Sequence, residues 1–181
     1  MTHRDVASAL LAMYDAAIDA ADPARAVRDG LRAHEVALEL RRDRPHWIIA
    51  LGKAAHAMAG EAVRHLDANG LRPAGGLIVG PSDRPSAHPA LACVAGDHPV
   101  PGARSAQAAD ALTALTERIA ADDVVLLLVS GGTSSLVGAP IPGVRAEDLA
   151  ALHALLLGAG VPISRINAVR KIGRASCRER V

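Results

Sequence analysis

The residues best suited to chemistry sit in three short stretches, each just after an apolar run. The first is Gly52-Lys53, which follows "HWIIAL" at 46–51 and opens a helical stretch. A lysine at a helix start opposes the helix dipole, which prefers negative charge there. Either an anion joins Lys53 at that point, or the side chain simply runs out to solvent. A Walker A loop needs glycine five residues before the Gly-Lys pair and Ser or Thr after it. Those positions hold Trp47 and Ala54, so this is not a P-loop. Lysine is scarce, with 2 against 18 arginines, and the other is Lys171. The arginine excess reads as a GC-rich gene rather than as phosphate recognition.

The second stretch is Ser130-Gly131-Gly132-Thr133-Ser134-Ser135, directly after "DDVVLLLV" at 122–129. Glycines without a Cβ let backbone N–H groups converge on a guest, and hydroxyls add donors. Such a nest suits a phosphate or a carboxylate. The alternative is an ordinary Gly-rich turn. The third stretch is Asp97-His98-Pro99-Val100-Pro101. An Asp-His pair can do acid–base work, but here the plainer reading is favoured: Asp97 holds a turn through local backbone hydrogen bonds. His56 and His65 fall on a helical stretch and read as surface or packing residues. No His, Asp or Glu cluster has metal-ligand spacing, so no protein metal site is expected.

These stretches need elements to hold them. Val6, Leu10, Met13, Ala17 and Ala20 recur at helical spacing over 4–21. Asp22-Pro23 reads as an N-cap with proline in the first turn of a second helix, to about 33. "VALEL" at 36–40 alternates like a short, half-exposed strand. The runs at 46–51, 75–80, 91–96 and 122–129 read as strands. Helices are expected between them, after Lys53, over 103–121 and over 147–157. "PSDRPSAHP" at 81–89 is a polar surface loop. Strands alternating with helices, several of them continuous apolar runs, predict an α/β fold. It is a three-layer Rossmann-like sandwich with a mostly parallel sheet. In such sheets ligands bind outside the carboxyl ends of the strands, where the three stretches lie.

Composition narrows the function classes. The 181 residues suffice for one domain, half are apolar, and the net charge is +1. No basic footprint argues for nucleic acid, and Trp47 and Tyr14 alone cannot form a base-stacking platform. Cys93 and Cys177 lie too far apart in sequence to suggest a disulfide framework or a thiolate metal site. Neither a secretory signal nor a membrane-length apolar run is visible, which makes a cytoplasmic location the expectation.

Four segments then occur together in order: "ALGKAAHAMA", "GDHPVPGARS", "LLLVSGGTSSLVGAPIPG" and "LLLGAGVPISRINAVRK". In this order and spacing they resemble the glycerate 2-kinase family that carries a MOFRL C-terminal domain, some of whose members have been labelled hydroxypyruvate reductases. The resemblance covers nearly all of the chain to Lys171. It implies ATP-dependent phosphorylation of glycerate at its 2-hydroxyl to give 2-phosphoglycerate, with Mg²⁺ bridging phosphates. It also implies an active site in a cleft between this α/β domain and a second one. Lys53 matches the family's active-site lysine. Residues 130–135 match its S-G-G-G-S-A loop, with Thr133 in place of a glycine and Ser135 in place of an alanine. Asn167, Arg170 and Lys171 match the start of its I-N-x-V-R-K-H-L-S segment. Lys53 and Arg170 would be the catalytic cations. Ser130, Gly131, Gly132, Thr133, Ser134, Ser135, Asn167 and Lys171 would bind substrate or phosphate.

That segment breaks after Lys171, where Ile172-Gly173-Arg174 replace His-Leu-Ser. The closing "IGRASCRERV" has no periodicity and reads as a non-native tail of adapter type. The expected organisation is therefore an incomplete N-terminal kinase-like domain over 1–171 and a tail over 172–181. The sheet is expected to be truncated, with an unpaired apolar edge, and these residues alone to lack kinase activity and to aggregate. Two other functions stay open. One is an NAD(P)H-dependent hydroxypyruvate reductase, against which the missing G-x-G-x-x-G counts. The other is a non-catalytic domain that binds a sugar phosphate or carboxylate.

Overall fold

The computed structural model describes residues 3–33, 43–86, 88–140 and 143–172. Helices α1 (His3–Ala20) and α2 (Pro23–Ala33) precede strand β1 (His46–Leu51) and helix α3 (Ala55–Ala68). Strands β2 (Pro73–Gly80) and β3 (Leu91–Ala95) lead to α4 (Ala103–Thr116) and β4 (Val124–Val129). The short α5 (Thr133–Leu136), α6 (Ala146–Gly158) and α7 (Ile163–Ile172) follow. The four strands form one sheet in the order β3-β2-β1-β4, and every pairing is parallel.

The layers follow from the period-2 alternation of strand side chains. All six residues of β1 are buried. Ile48 and Ala50 join Ile78 and Leu126 in one apolar cluster with Met58, Ala62 and Leu66 of α3 and with Val27 and Leu31 of α2. Trp47, Ile49 and Leu51 join Leu77 and Val79 in a second cluster with Ala108 and Leu115 of α4. One core therefore lies on each face of the sheet, which is the three-layer α/β arrangement expected from the sequence.

Several elements differ from the sequence expectation. The helix read over 103–121 ends at Thr116. Its last turn tightens into i→i−3 bonds, from the Arg118 N–H to the Leu115 carbonyl and from Ile119 to Thr116. Asp123 then draws the chain toward β4 by accepting from the Ala120 N–H and from the Trp47 indole at 2.8 Å. Strand β2 starts two residues earlier than the expected run, at Pro73. Helices α5 and α7 were not legible as periodic segments. The strand expected at 36–40 lies outside the described residues, as does the tail from 173 onward. Helix α1 forms as expected, but Leu10, Leu11, Met13, Tyr14 and Ile18 on it are exposed. Among the described residues no helix is long and apolar enough to cross a membrane.

The expected open sheet edge is β4. It pairs with β1 on one side, while Leu127 and Val129 keep 61% and 58% of their surface exposed. A groove of about 710 Å³ runs along this edge beside α2, lined by Val27, Leu31, Met58 and the length of β4.

Helices α2 and α3 are joined by a carboxylate between two guanidinium groups. Buried Glu61 accepts from Arg28 Nε at 2.7 Å and also pairs with Arg64. The Arg28 hydrogen bond pulls the Glu61 carboxyl below its ordinary range, burial opposes this, and Arg64 adds to the lowering. A depressed carboxylate stabilises the fold above its unfolded-state pKa, and that contribution disappears as pH falls through the folded-state value. Glu61→Gln is therefore expected to cost about 1–2 kcal/mol at neutral pH, since both arginines keep solvent contact. Urea titrations of both proteins should converge as the pH drops below the carboxylate range. A deficit unchanged from pH 7 to pH 3 would contradict this account.

Candidate functional site

The segments that follow β1, β3 and β4 meet at the carboxyl end of the sheet, around Gly132, and the space outside this rim is the crevice considered as a site. At the end of β1 the chain enters Gly52, whose φ of +117° is a left-handed value that favours glycine. The Gly52 N–H donates to the Val79 carbonyl at 3.0 Å, and the Lys53 N–H donates to the Gly131 carbonyl at 2.9 Å. In return the Ser130 N–H donates to the Leu51 carbonyl at 2.9 Å. The β1 and β4 loops thus continue the strand ladder past the sheet and lock together.

Serine 130 reinforces this lock. Its hydroxyl accepts from the Ala54 N–H at 3.1 Å and donates to the Leu51 carbonyl at 3.3 Å. Thr133 Oγ1 donates to the Ser130 carbonyl at 2.8 Å, and buried Ser135 donates from Oγ to the Gly132 carbonyl at 3.0 Å. The sequence suggested these hydroxyls as donors to a guest. In the structure Thr133 and Ser135 bond carbonyls just ahead of α5, while Ser130 bonds the backbone that leaves β1, so these three hydroxyls shape the two loops.

What faces the crevice is bare backbone beside a cation. A Cβ on Gly131 would meet nothing within 4 Å. A Cβ on Gly132, where φ is +91°, would lie 3.1 Å from Lys53 Cγ and 3.3 Å from Lys53 Cε. The Lys53 stem therefore lies across the Cα of Gly132, and its side chain as a whole is exposed. The ammonium and the glycines share one rim of the sheet.

The same hypothetical Cβ on Gly132 would come 3.2 Å from His98 Cδ2. Sequence reasoning set the Asp97-His98 pair aside as a turn. For Asp97 that reading holds. Its N–H donates to the buried Ser105 hydroxyl at 2.9 Å, and its carboxylate accepts from the Arg104 N–H at 3.0 Å and from Arg104 Nε at 2.7 Å. Burial pushes the Asp97 carboxyl up, but the Arg104 contacts and the Ser105 backbone outweigh it and hold it below the usual range. His98, by contrast, is exposed at the crevice. The signal that could have found it was position, since "GDHPVPG" follows β3 as the glycine loops follow β1 and β4.

His56, at the start of α3, lies over the end of β2, where a Cβ on Gly80 would come 3.3 Å from its Cδ2. Burial pushes this imidazole pKa down, Arg84 pushes it further, and a backbone hydrogen bond at Ser82 opposes them. Asn167, Arg170 and Lys171 lie on α7, which packs on α6. Asn167 is exposed, and among the described residues no hydrogen bond ties it to the crevice. No three His, Cys, Asp or Glu side chains gather as a metal site among the described residues. The groove along β4 is mostly apolar and reaches this rim at Ser130.

Comparison with known proteins agrees with this architecture. The profile described as a domain of unknown function, DUF4147, matches residues 9–175. A glycerate 2-kinase of Pyrococcus horikoshii is 31% identical over 176 residues, covering 94% of this chain and 39% of that protein. A D-glycerate 2-kinase of Thermotoga maritima is 34% identical over 161 residues, covering 85% of this chain and 35% of the relative. The crystal structure of a glycerate kinase from Thermotoga maritima superposes with a TM-score of 0.73 at 30% identity, over 94% of this chain and 39% of that one. The chain thus spans well under half the length of the relatives it matches.

Proposed function

The chain belongs to the DUF4147 family, the N-terminal domain of the glycerate kinases, and from that premise we propose that it supplies one wall of the active site for ATP-dependent phosphorylation of glycerate to 2-phosphoglycerate. The observation that carries this reading is the packing of the Lys53 stem on Gly132. It puts a mobile point charge beside uncovered backbone at the carboxyl end of a parallel sheet, where α/β proteins bind ligands.

Phosphoryl transfer asks a protein mainly for positioning and for positive charge around the moving group. In this proposal Lys53 meets the anionic oxygens, and the backbone of Gly131 and Gly132 lets them approach without a side chain in the way. The cradle that a Cβ would fill fits a phosphate or the glycerate carboxylate. Mg²⁺ would arrive with the nucleotide, since it keeps phosphate and water ligands and needs few from the protein. For Arg170, Lys171 and Asn167 the support is the resemblance of their segment alone.

The test is enzymatic and uses protein expressed from its full reading frame. ATP-dependent formation of 2-phosphoglycerate from glycerate is the expected result, followed by coupling to an enolase reaction. NADH oxidation with hydroxypyruvate and no phosphoryl transfer would overturn the proposal and support the reductase reading.

A further inference from the structure

His98 stands out among the groups that the proposed function leaves unused. It comes from the end of β3, Lys53 comes from the end of β1, and both lie against the Cα of Gly132 at the end of β4. Three separate strand ends therefore deliver two basic side chains and one glycine to the same point. Any side chain at 132 would press on both of them. The one carboxylate next to His98 in sequence, Asp97, is turned away and engaged by Arg104 and the start of α4.

The backbone before His98 is also firmly held. The Asp97 N–H donates to Ser105 Oγ, which is fully buried and also accepts from the Gly102 N–H at 3.3 Å. Gly96 is tied to the sheet through its N–H, which donates to the Gly80 carbonyl at 2.9 Å. An exposed imidazole on so fixed a segment loses little freedom when a guest arrives, which is what a preorganised contact requires.

We propose that His98 is a ligand-contacting residue of this crevice, donating an imidazole N–H to the same oxyanion that the Lys53 ammonium holds. The inference rests on the reading of the crevice as the anion site. The shared chemistry is an anion with at least two acceptor oxygens, either the carboxylate of a small hydroxy acid or a phosphate. Lysine contributes a flexible point charge, and histidine contributes a planar donor of fixed direction. Together they select for the orientation of the anion, which a lone lysine cannot do.

The test is a titration of protein expressed from its full reading frame, with D-glycerate in one arm and inorganic phosphate in the other. Binding is read by calorimetry and by the ¹⁵N chemical shifts of the histidine rings. The His98 ring signal should move saturably, at the ligand concentration that gives the calorimetric Kd. His98→Ala should weaken that arm about ten- to a hundredfold, the range for a hydrogen bond to a charged group. His98→Gln, which can still present an N–H, should recover part of the loss. Melting curves of both variants, recorded beside the parent, separate a loss of binding from a loss of fold. The arm that responds identifies the anion as carboxylate or phosphate. If the parent chain binds and both variants bind equally well, the role of His98 is refuted while the crevice stands. If the parent chain binds neither ligand at millimolar concentration, the crevice reading and this inference fall together.

Discussion

Gly52→Ala is expected to destabilise the chain by about 3–5 kcal/mol, enough to remove much of the stability of an ordinary domain. Two independent costs combine. The backbone at 52 sits at φ +117°, which an L side chain rarely adopts, at about 1–3 kcal/mol. The new methyl would overlap the Ser130 hydroxyl and come within 2.6 Å of the Ser130 carbonyl oxygen. Neither atom can withdraw cheaply, since the same residue holds the Leu51 carbonyl and the Ala54 N–H. Chemical and thermal denaturation followed by circular dichroism check this. A melting temperature within about 2 °C of the parent would mean that the junction is softer than its geometry implies.

Lys53→Met should have the opposite profile, with stability intact and binding lost. The methionine keeps an apolar stem over Gly132 but removes the charge. Lys53 is exposed and its ammonium makes no described hydrogen bond that holds the fold together, so the melting temperature should stay within about 2 °C. Affinity for the anion should fall about ten- to a hundredfold, as expected for loss of a charge-assisted contact. In protein from the full reading frame, kcat should drop by about a hundredfold or more if the ammonium stabilises charge that develops during transfer. Equilibrium titration beside steady-state kinetics separates the two effects. A variant that lost stability but kept its affinity would show that Lys53 is structural.

Much of this was legible from residue types. The strand runs at 46–51, 75–80, 91–96 and 122–129 were clear because parallel strands buried on both faces read as unbroken apolar stretches. The pairing of Gly52-Lys53 with Ser130–Ser135 was legible because both follow such runs. The direction of the hydroxyls was not. Whether Ser130 points at a guest or at the Leu51 carbonyl depends on how closely two loops approach across nearly eighty positions of chain, and no local pattern encodes that. His98 was hidden for a related reason: its neighbour Asp97 has a local role in the turn, and nothing in the sequence separates the two side chains. Helix α5 has four residues, fewer than one would need to see a period of 3.6. The early end of α4 depended on Asp123, seven residues past its last helical position.

The strand order β3-β2-β1-β4 has a consequence that no side chain alters. From β1 the chain winds outward in one direction through β2 and β3, then crosses back over the sheet to lay β4 on the far side of β1. The chain leaving β1 enters α3 on one face, and the chain leaving β4 packs Leu136 into the cluster on the other, which makes the β1–β4 pair a topological switch point, the place where α/β sheets bind ligands. Gly52 and Ser130 flank that switch point, one on each strand. A relative that had lost both Lys53 and His98 would still carry a hollow there, and a new binding specificity could evolve from it by changing only what lines it.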